Sequence, residues 1–282
     1  MRLTPPAEGP DVCTNNTGLA SPQGITLKIG ESAVRLCSGN DRFRKILEAR
    51  YAEYLTSEAH PWLQFNVEVT THKEITKDGL EVSKRADAWL VERGDFSAWW
   101  KPETGCGELR QSANLYSLDT LLRIVHSIAL AENGGFLLHA ASAVRHGRAY
   151  VFCGVSGAGK TTLSRLAPPD VQVLSDEISY VTRDGRTYRA YGTPFSGELA
   201  CVGENISAPI VGLFFLEKSS ANGLIQVGPT AALRALLRNI LFLAQEPELV
   251  EQVFDSALHF VSGVPIRRMQ FTPDARAWEL IP

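Results

Sequence analysis

The sequence predicts an α/β protein in which a nucleotide-binding domain follows a smaller, strand-rich α+β domain. Two observations predict this class. A glycine-rich segment, GVSGAGKTT at residues 154–162, stands between an apolar strand and a helix, which is the arrangement that cradles phosphates. Upstream, between residue 24 and about residue 100, apolar and polar residues alternate as they do in half-buried strands.

Length and composition exclude several classes of protein. The 282 residues suffice for one large domain or two modest ones, and 44% hydrophobic with 21% charged residues is ordinary for a globular chain. The net charge of −3 gives no electrostatic reason to expect nucleic acid as a partner. No apolar run approaches the length that spans a bilayer, so we expect no membrane partner either.

We divide the chain into three parts. Residues 1–23, which begin MRLTPPAEGPDVCTNNTG, are polar and rich in turn formers; they lack the apolar core of a signal peptide and predict a flexible tail. Residues 24–105 form the small α+β domain, whose core should take Trp99 and Trp100. Residues 106–282 form the phosphate-loop domain, entered through a connector, KPETGCGELRQSA, that is rich in Gly, Pro and charge.

The cysteines bear on the cellular compartment. They are odd in number, scattered and without a CxxC pair: Cys13, Cys37, Cys106, Cys153 and Cys201. This pattern argues against a disulfide framework or a zinc site and for a reducing, cytoplasmic location.

The second domain predicts alternating strands and helices. A helix with apolar residues at helical spacing, SLDTLLRIVHSIALAENGG, precedes two strands, FLLHAASAV and RAYVFCGV, joined by the turn RHG. After the glycine-rich loop, Pro168-Pro169 must stop the helix early. Next come the strand VQVLSDE, a hairpin turning at Asp184-Gly185 and the strand IVGLFFLEK. Two amphipathic helices follow (Leu233 to Leu241 and Val250 to Leu258), and the chain closes with the strand IRRMQF and a short terminal helix.

The loop itself predicts a bound nucleoside triphosphate, which we take to be ATP, and Mg²⁺ as cofactors. Gly154, Gly159, Lys160 and Thr161 match every fixed position of GxxxxGK[ST]. Backbone N–H groups would surround the phosphates, Lys160 would reach the β- and γ-phosphates, and the Thr161 hydroxyl would bind the metal. The residues expected to bind the nucleotide are Gly154, Ser156, Gly157, Ala158, Gly159, Lys160, Thr161 and Thr162.

An acidic pair follows the loop closely. Asp176 and Glu177 end the strand VQVLSDE, only sixteen residues beyond Lys160. General P-loop ATPases have their acidic strand much farther along the chain. We expect Asp176 to act as the general base and to contribute to metal binding, and Glu177 to hold Mg²⁺; the two could exchange roles.

The combination of these motifs resembles a known family. The stretch GVSGAGKTTLS…VLSDE resembles the HPr kinase/phosphorylase group and, more distantly, ATP-dependent phosphoenolpyruvate carboxykinase. LLHAASAV is similar to the strand that carries the active-site histidine of HPr kinase, which implies that role for His139. The catalytic residues implied are Asp176, His139 and Lys160, within a P-loop kinase domain of the HPr kinase/carboxykinase type.

The resemblance implies transfer of the γ-phosphoryl group to a hydroxyl, with serine of a peptide or protein as the first choice. A kinase acting on a free amino acid, and a nucleotide-binding ATPase or switch without an acceptor, remain alternatives. We also expect a homo-oligomer. The segment YGTPFSGE, residues 191–198, with Arg189 nearby, could line the acceptor site or serve only as a connecting loop.

Overall fold

The computed structural model describes residues 23–70, 79–195 and 203–281. The predicted N-terminal tail therefore lies outside the described residues except for Gln23. The chain divides into two compact units. The first runs to Val125 and includes Leu243–Glu246, and the second comprises His126–Phe242 and the chain from Pro247 onwards.

The first unit is built on one sheet. Among the described residues its strands are β1 (Gly24–Ile29), β2 (Ser32–Cys37), β3 (Leu63–Thr70), β4 (Glu81–Arg85), β5 (Ala88–Arg93), β6 (Phe96–Lys101) and β7 (Cys106–Ser112). Its helices are α1 (Asp41–Arg50), a 3₁₀ turn (Ala52–Tyr54) and the first part of α2 (Leu115–Glu132). The strands follow the order β1-β2-β3-β7-β6-β5-β4.

The core of this unit includes both tryptophans that the sequence assigns to it. Trp99 and Trp100 are almost fully buried. Trp100 stacks on Trp89, with ring centroids 6.0 Å apart. Helix α1 begins where the Asn40 side chain accepts a hydrogen bond from the Phe43 N–H, which satisfies a donor that the helix itself leaves open.

The connector prediction is wrong, and one cysteine forms a disulfide although the sequence argued against a disulfide framework. Residues Cys106–Ser112 form β7, which pairs in parallel with β3 and antiparallel with β6 in the middle of the sheet. Consequently the contacts divide the chain after Val125, later than the predicted boundary between residues 105 and 106. Cys106 is disulfide-bonded, whereas Cys37 and Cys153 are free thiols.

The second unit contains the remaining elements. Its described strands are β8 (Phe136–Arg145), β9 (Arg148–Cys153), β10 (Val171–Ser175), β11 (Ile178–Asp184), β12 (Thr187–Tyr191), β13 (Ser207–Lys218), β14 (Gly223–Gln226), β15 (Ile240–Leu241) and β16 (Ile266–Phe271). Its helices are the end of α2, α3 (Lys160–Arg165), α4 (Pro229–Leu237), α5 (Pro247–Gly263) and a terminal 3₁₀ helix (Ala275–Leu280).

Strand β8 organises this unit. The pairings β8–β11, β11–β12, β12–β13, β13–β9 and β9–β8 close on themselves as a ring. Leu138 and Ala140 of β8 belong to one apolar cluster, and Ala141 and Ala143 belong to a second cluster that includes Leu163 of α3. Because successive side chains of a strand alternate between faces, each face of β8 packs against its own core.

The predicted turns of this unit are confirmed, and one predicted helix ends early. The β8–β9 turn has His146 and Gly147 at φ +52° and +71°, and Gly185 of the β11–β12 hairpin has φ +59°. The first amphipathic helix stops at Leu237, and Ile240–Leu241 pair with β8 instead. None of the helices in the described part of the chain has the length and apolarity needed to cross a bilayer.

Candidate active site

The glycine-rich loop connects the end of β9 to the start of α3. Gly157 and Gly159 have φ +77° and +112°, values that residues with a side chain rarely adopt. A Cβ on Gly159 would also lie 2.5 Å from the ring of Phe271. The loop is closed by the Ala158 N–H, which donates to the Val155 carbonyl at 3.0 Å. Ser156 and Gly157 remain exposed at its tip.

The Lys160 side chain folds back into this loop. Its exposed fraction is only 8%, and Nζ donates to the Gly154 carbonyl at 2.7 Å. Burial lowers the pKa of Lys160, while Cys153 and Glu177 act in the opposite direction. A largely buried ammonium group held by a neutral carbonyl would gain from an anion, because two opposite charges at hydrogen-bond distance attract each other more strongly than a charge and a neutral carbonyl do.

Strand register brings the acidic pair to the level of the loop. Ala140 of β8 pairs with Cys153, the last residue of β9. On the other side of β8, Ser142 pairs with Ser175 and His139 pairs with Ile178. The two acids between Ser175 and Ile178 are therefore level with the end of β9. Two strand spacings separate them from the loop's first residue, a distance of roughly 10 Å.

Asp176 and Glu177 form a turn between two strands, which corrects the prediction that they end one. β10 stops at Ser175, and β11 continues beside the same strand β8 from Ile178. The Ser175 hydroxyl accepts hydrogen bonds from the N–H groups of Glu177 and Ile178, at 3.3 and 2.9 Å. Asp176 is only 5% exposed, and Glu177 is half-buried.

A second hydroxyl fixes the same turn. Thr193 is fully buried, and its Oγ1 donates to the Ile178 carbonyl at 2.7 Å. Its N–H donates to the Leu174 carbonyl at 3.3 Å. The acids are thus carried by a turn whose backbone is held from both ends.

His139 lies beside this turn, within the strand that the sequence predicted for it. It is the fourth residue of β8, is half-buried, and its backbone N–H donates to the Asn239 carbonyl at 2.7 Å. Because successive side chains of a strand alternate between faces, the His139 side chain lies on the same face of β8 as Ala141 and Ala143. That face packs against α3. The structure therefore gathers the loop, the acids and His139 on three adjacent strands.

Three residues that hold this site were not among those predicted from sequence. Ser175 carried a readable signal, because a hydroxyl directly before two acids can bond the backbone two and three residues on. Thr193 was noticed only as part of a loop. Phe271, which packs against Gly159, gave no signal, since its contact depends on the position of β16.

Other candidates from the sequence lie elsewhere. Arg189 donates to the Ser207 hydroxyl at 3.0 Å and is thereby held by the neighbouring strand. Of the segment YGTPFSGE, residues 196–198 lie outside the described residues.

The donors present fit a magnesium ion that arrives with a nucleotide. Within residues 23–70, 79–195 and 203–281, no group of three or more His, Cys, Asp or Glu side chains is arranged to hold a metal. Thr161 follows Lys160 in the first turn of α3, and the acids supply carboxylate oxygens. Mg²⁺ is usually bound through one or two protein oxygens plus phosphates and water, not by a dedicated protein cage.

Together the fold and the site define a sheet-rich, mixed α/β protein with a glycine-rich loop of the phosphate-binding type between a strand and a helix. Residues 108–282 match the family described as SynChlorMet cassette protein ScmC. Since the match covers more than half of the chain, the protein belongs to the ScmC family. No curated protein matches the chain.

Proposed function

We propose that this protein is a kinase that transfers the γ-phosphoryl group of Mg²⁺-ATP to a hydroxyl, with serine of a peptide or protein as the acceptor. The observation that carries the proposal is the convergence on three adjacent strands of the Lys160 loop, the acidic turn and His139. A phosphate loop alone would fit many reactions. The acids and the histidine beside the loop supply groups that could position and deprotonate a nucleophile.

Lys160 supports the phosphate end of this proposal. Its ammonium group would exchange the Gly154 carbonyl for oxygens of the β- and γ-phosphates and offset charge on the transferred group. Burial lowers the pKa of Lys160, and the charge of Glu177 is close enough to oppose this shift in part, so we assign Glu177 to the phosphate side of the site. Together with the Thr161 hydroxyl it would hold Mg²⁺, which neutralises phosphate charge when bound.

Asp176 supports the acceptor end. We assign it as the base that takes the hydroxyl proton as the acceptor oxygen bonds to the γ-phosphorus. The bond from that phosphorus to the bridging oxygen breaks, and ADP leaves. His139 would donate a hydrogen bond to the transferred phosphoryl group. We assign the reaction to the cytoplasm because ATP is available there.

The test measures acceptor and hydrolysis products together. Purified protein is incubated with Mg²⁺-ATP alone, with free serine, and with serine-bearing peptides. The description of the family as a cassette protein suggests the first peptides to include, namely those encoded beside the gene. We expect little phosphate release without an acceptor and a mass gain of one phosphoryl group on one acceptor.

Lys160→Ala is the control for this experiment. Loss of one such contact to transition-state charge costs about 3–4 kcal/mol, on the order of several-hundred-fold in rate. Near-normal turnover by this variant would remove the loop from the mechanism. Brisk hydrolysis without any phosphorylated acceptor would favour an ATPase or switch instead.

A further inference from the structure

Helix α5 carries a row of exposed apolar side chains. Its core face is buried through Leu249, Val253, Ala257 and Phe260. On the adjoining face Val250, Phe254 and Leu258 are 48%, 45% and 46% exposed. Residues four apart are neighbours on a helix surface, so these three form one continuous row, roughly 12 Å long. We name this row the α5 ridge.

A strip of negative charge borders the ridge. Glu251 and Asp255 each follow a ridge residue, and at about 100° per residue they lie on the side of the ridge away from the core. Both are exposed, as is Glu248. The helix has no Lys or Arg, and among the described residues none of the three acids forms an ion pair. The negative charge of Glu248 is favourable at the start of the helix because of the helix dipole. Asp255 lies in the middle of α5, where the dipole does not explain its charge.

The charge decides what can cover the ridge. Single exposed apolar residues are ordinary, whereas a contiguous row beside a polar border is typical of an interaction site. A second copy paired ridge to ridge would bring a second strip of the same sign. An anionic bilayer is disfavoured for the same reason.

We propose that the α5 ridge binds a partner segment that forms an amphipathic helix with Lys or Arg beside its apolar face. An amphipathic helix recognises a hydrophobic surface through residues at the same helical spacing that the ridge presents. Phe254, at the centre, is the anchor, because truncating a central aromatic side chain usually costs most. The acidic strip sets the orientation of the partner and speeds encounter. This binding is independent of phosphoryl transfer.

The probe is a fluorescein-labelled, amidated peptide of Leu and Lys only, with Leu at helical spacing and about 18 residues, long enough to form a helix. A scrambled peptide of the same composition is the control. Fluorescence anisotropy with the whole protein should show saturable binding of the patterned peptide. Raising salt from about 0.05 M to about 0.5 M should weaken it, because exposed charges are screened.

Substitutions in and outside the ridge distinguish binding at the α5 ridge from non-specific binding of the peptide elsewhere on the protein. Phe254→Gln should lower affinity at least tenfold, while Ile225→Gln, at an apolar position of similar exposure on β14, should leave it unchanged. The double variant Glu251→Lys/Asp255→Lys should no longer bind the Leu–Lys peptide. It should instead bind a Leu–Glu peptide of the same pattern. All replaced side chains are exposed, so urea unfolding curves should match the parent.

Several results would overturn the proposal. Absence of binding, equal binding of the scrambled peptide, or full affinity in Phe254→Gln each removes the ridge as the binding surface. Self-association that is lost in Phe254→Gln, measured by sedimentation velocity, would assign the ridge to a second copy of the chain.

Discussion

Acidification should weaken the fold through one histidine. His126 lies in the part of α2 that belongs to the second unit, and it is fully buried. Within the described part of the chain neither ring nitrogen has a hydrogen-bond partner, and the ring meets Tyr180 edge-on with centroids 5.7 Å apart. Burial without a partner disfavours the charged form and lowers the pKa of His126 from 6.5 to about 4.

The sign and size of the effect follow from this shift. Above pH 6.5 the histidine is neutral in both the folded and the unfolded chain and contributes no pH dependence. Below pH 6.5 the unfolded chain binds a proton that the folded chain resists, so the free energy of unfolding falls until the pH reaches the folded pKa. For a pKa of about 4, the loss at pH 5 is about 2 kcal/mol.

Two measurements test this prediction. In a proton NMR titration, the His126 Hε1 resonance, assigned from its absence in His126→Phe, should not titrate between pH 7.5 and 5. In urea unfolding over the same range, the parent should lose about 2 kcal/mol more stability than His126→Phe. The exposed-site control His259→Gln should behave as the parent. A His126 resonance that titrates near pH 6.5, or equal pH dependence in His126→Phe and parent, would refute the reasoning.

Three further predictions concern the candidate site. Asp176→Asn should lower the rate of phosphoryl transfer roughly 10²-fold or more at saturating Mg²⁺-ATP. Glu177→Gln should instead raise the Mg²⁺ concentration needed for half-maximal rate. Steady-state kinetics showing the opposite pattern would reverse the two roles. Gly159→Ala, at φ +112° against Phe271, should lose about 1–3 kcal/mol of stability in urea, more than Gly157→Ala, whose Cβ would meet open space; equal losses would remove the steric argument. His139→Ala should lower transfer while the melting temperature stays close to the parent's; normal activity with a lower melting temperature would make the histidine structural.

Sequence patterns predicted best the features that depend on neighbouring residues. The RHG turn, the Asp184-Gly185 turn and the strand–loop–helix order around Lys160 each follow from a few adjacent residues with restricted backbone angles. The early end of α3 at Arg165 likewise follows from the two prolines that come soon after it.

Patterns failed where pairing with distant strands decides the conformation. β7 contains glycine and charge, and it is a strand because β3 and β6 offer partners on both sides. Ile240 and Leu241 fit a helical spacing with Leu237, yet they pair with β8. Such pairing with distant strands overrides local propensity, and nothing within these segments reveals it.

The position of His139 shows how local and distant information combine. Asp176 follows Lys160 by only sixteen residues, so the chain must return to the sheet soon after α3. β9 and β10 both run antiparallel to β8 and lie on either side of it, so the crossover through α3 passes over β8. Any residue at that level of β8 must lie between the loop and the acids. The strand topology therefore determines where residue 139 lies, and the proposed chemistry accounts only for its being a histidine.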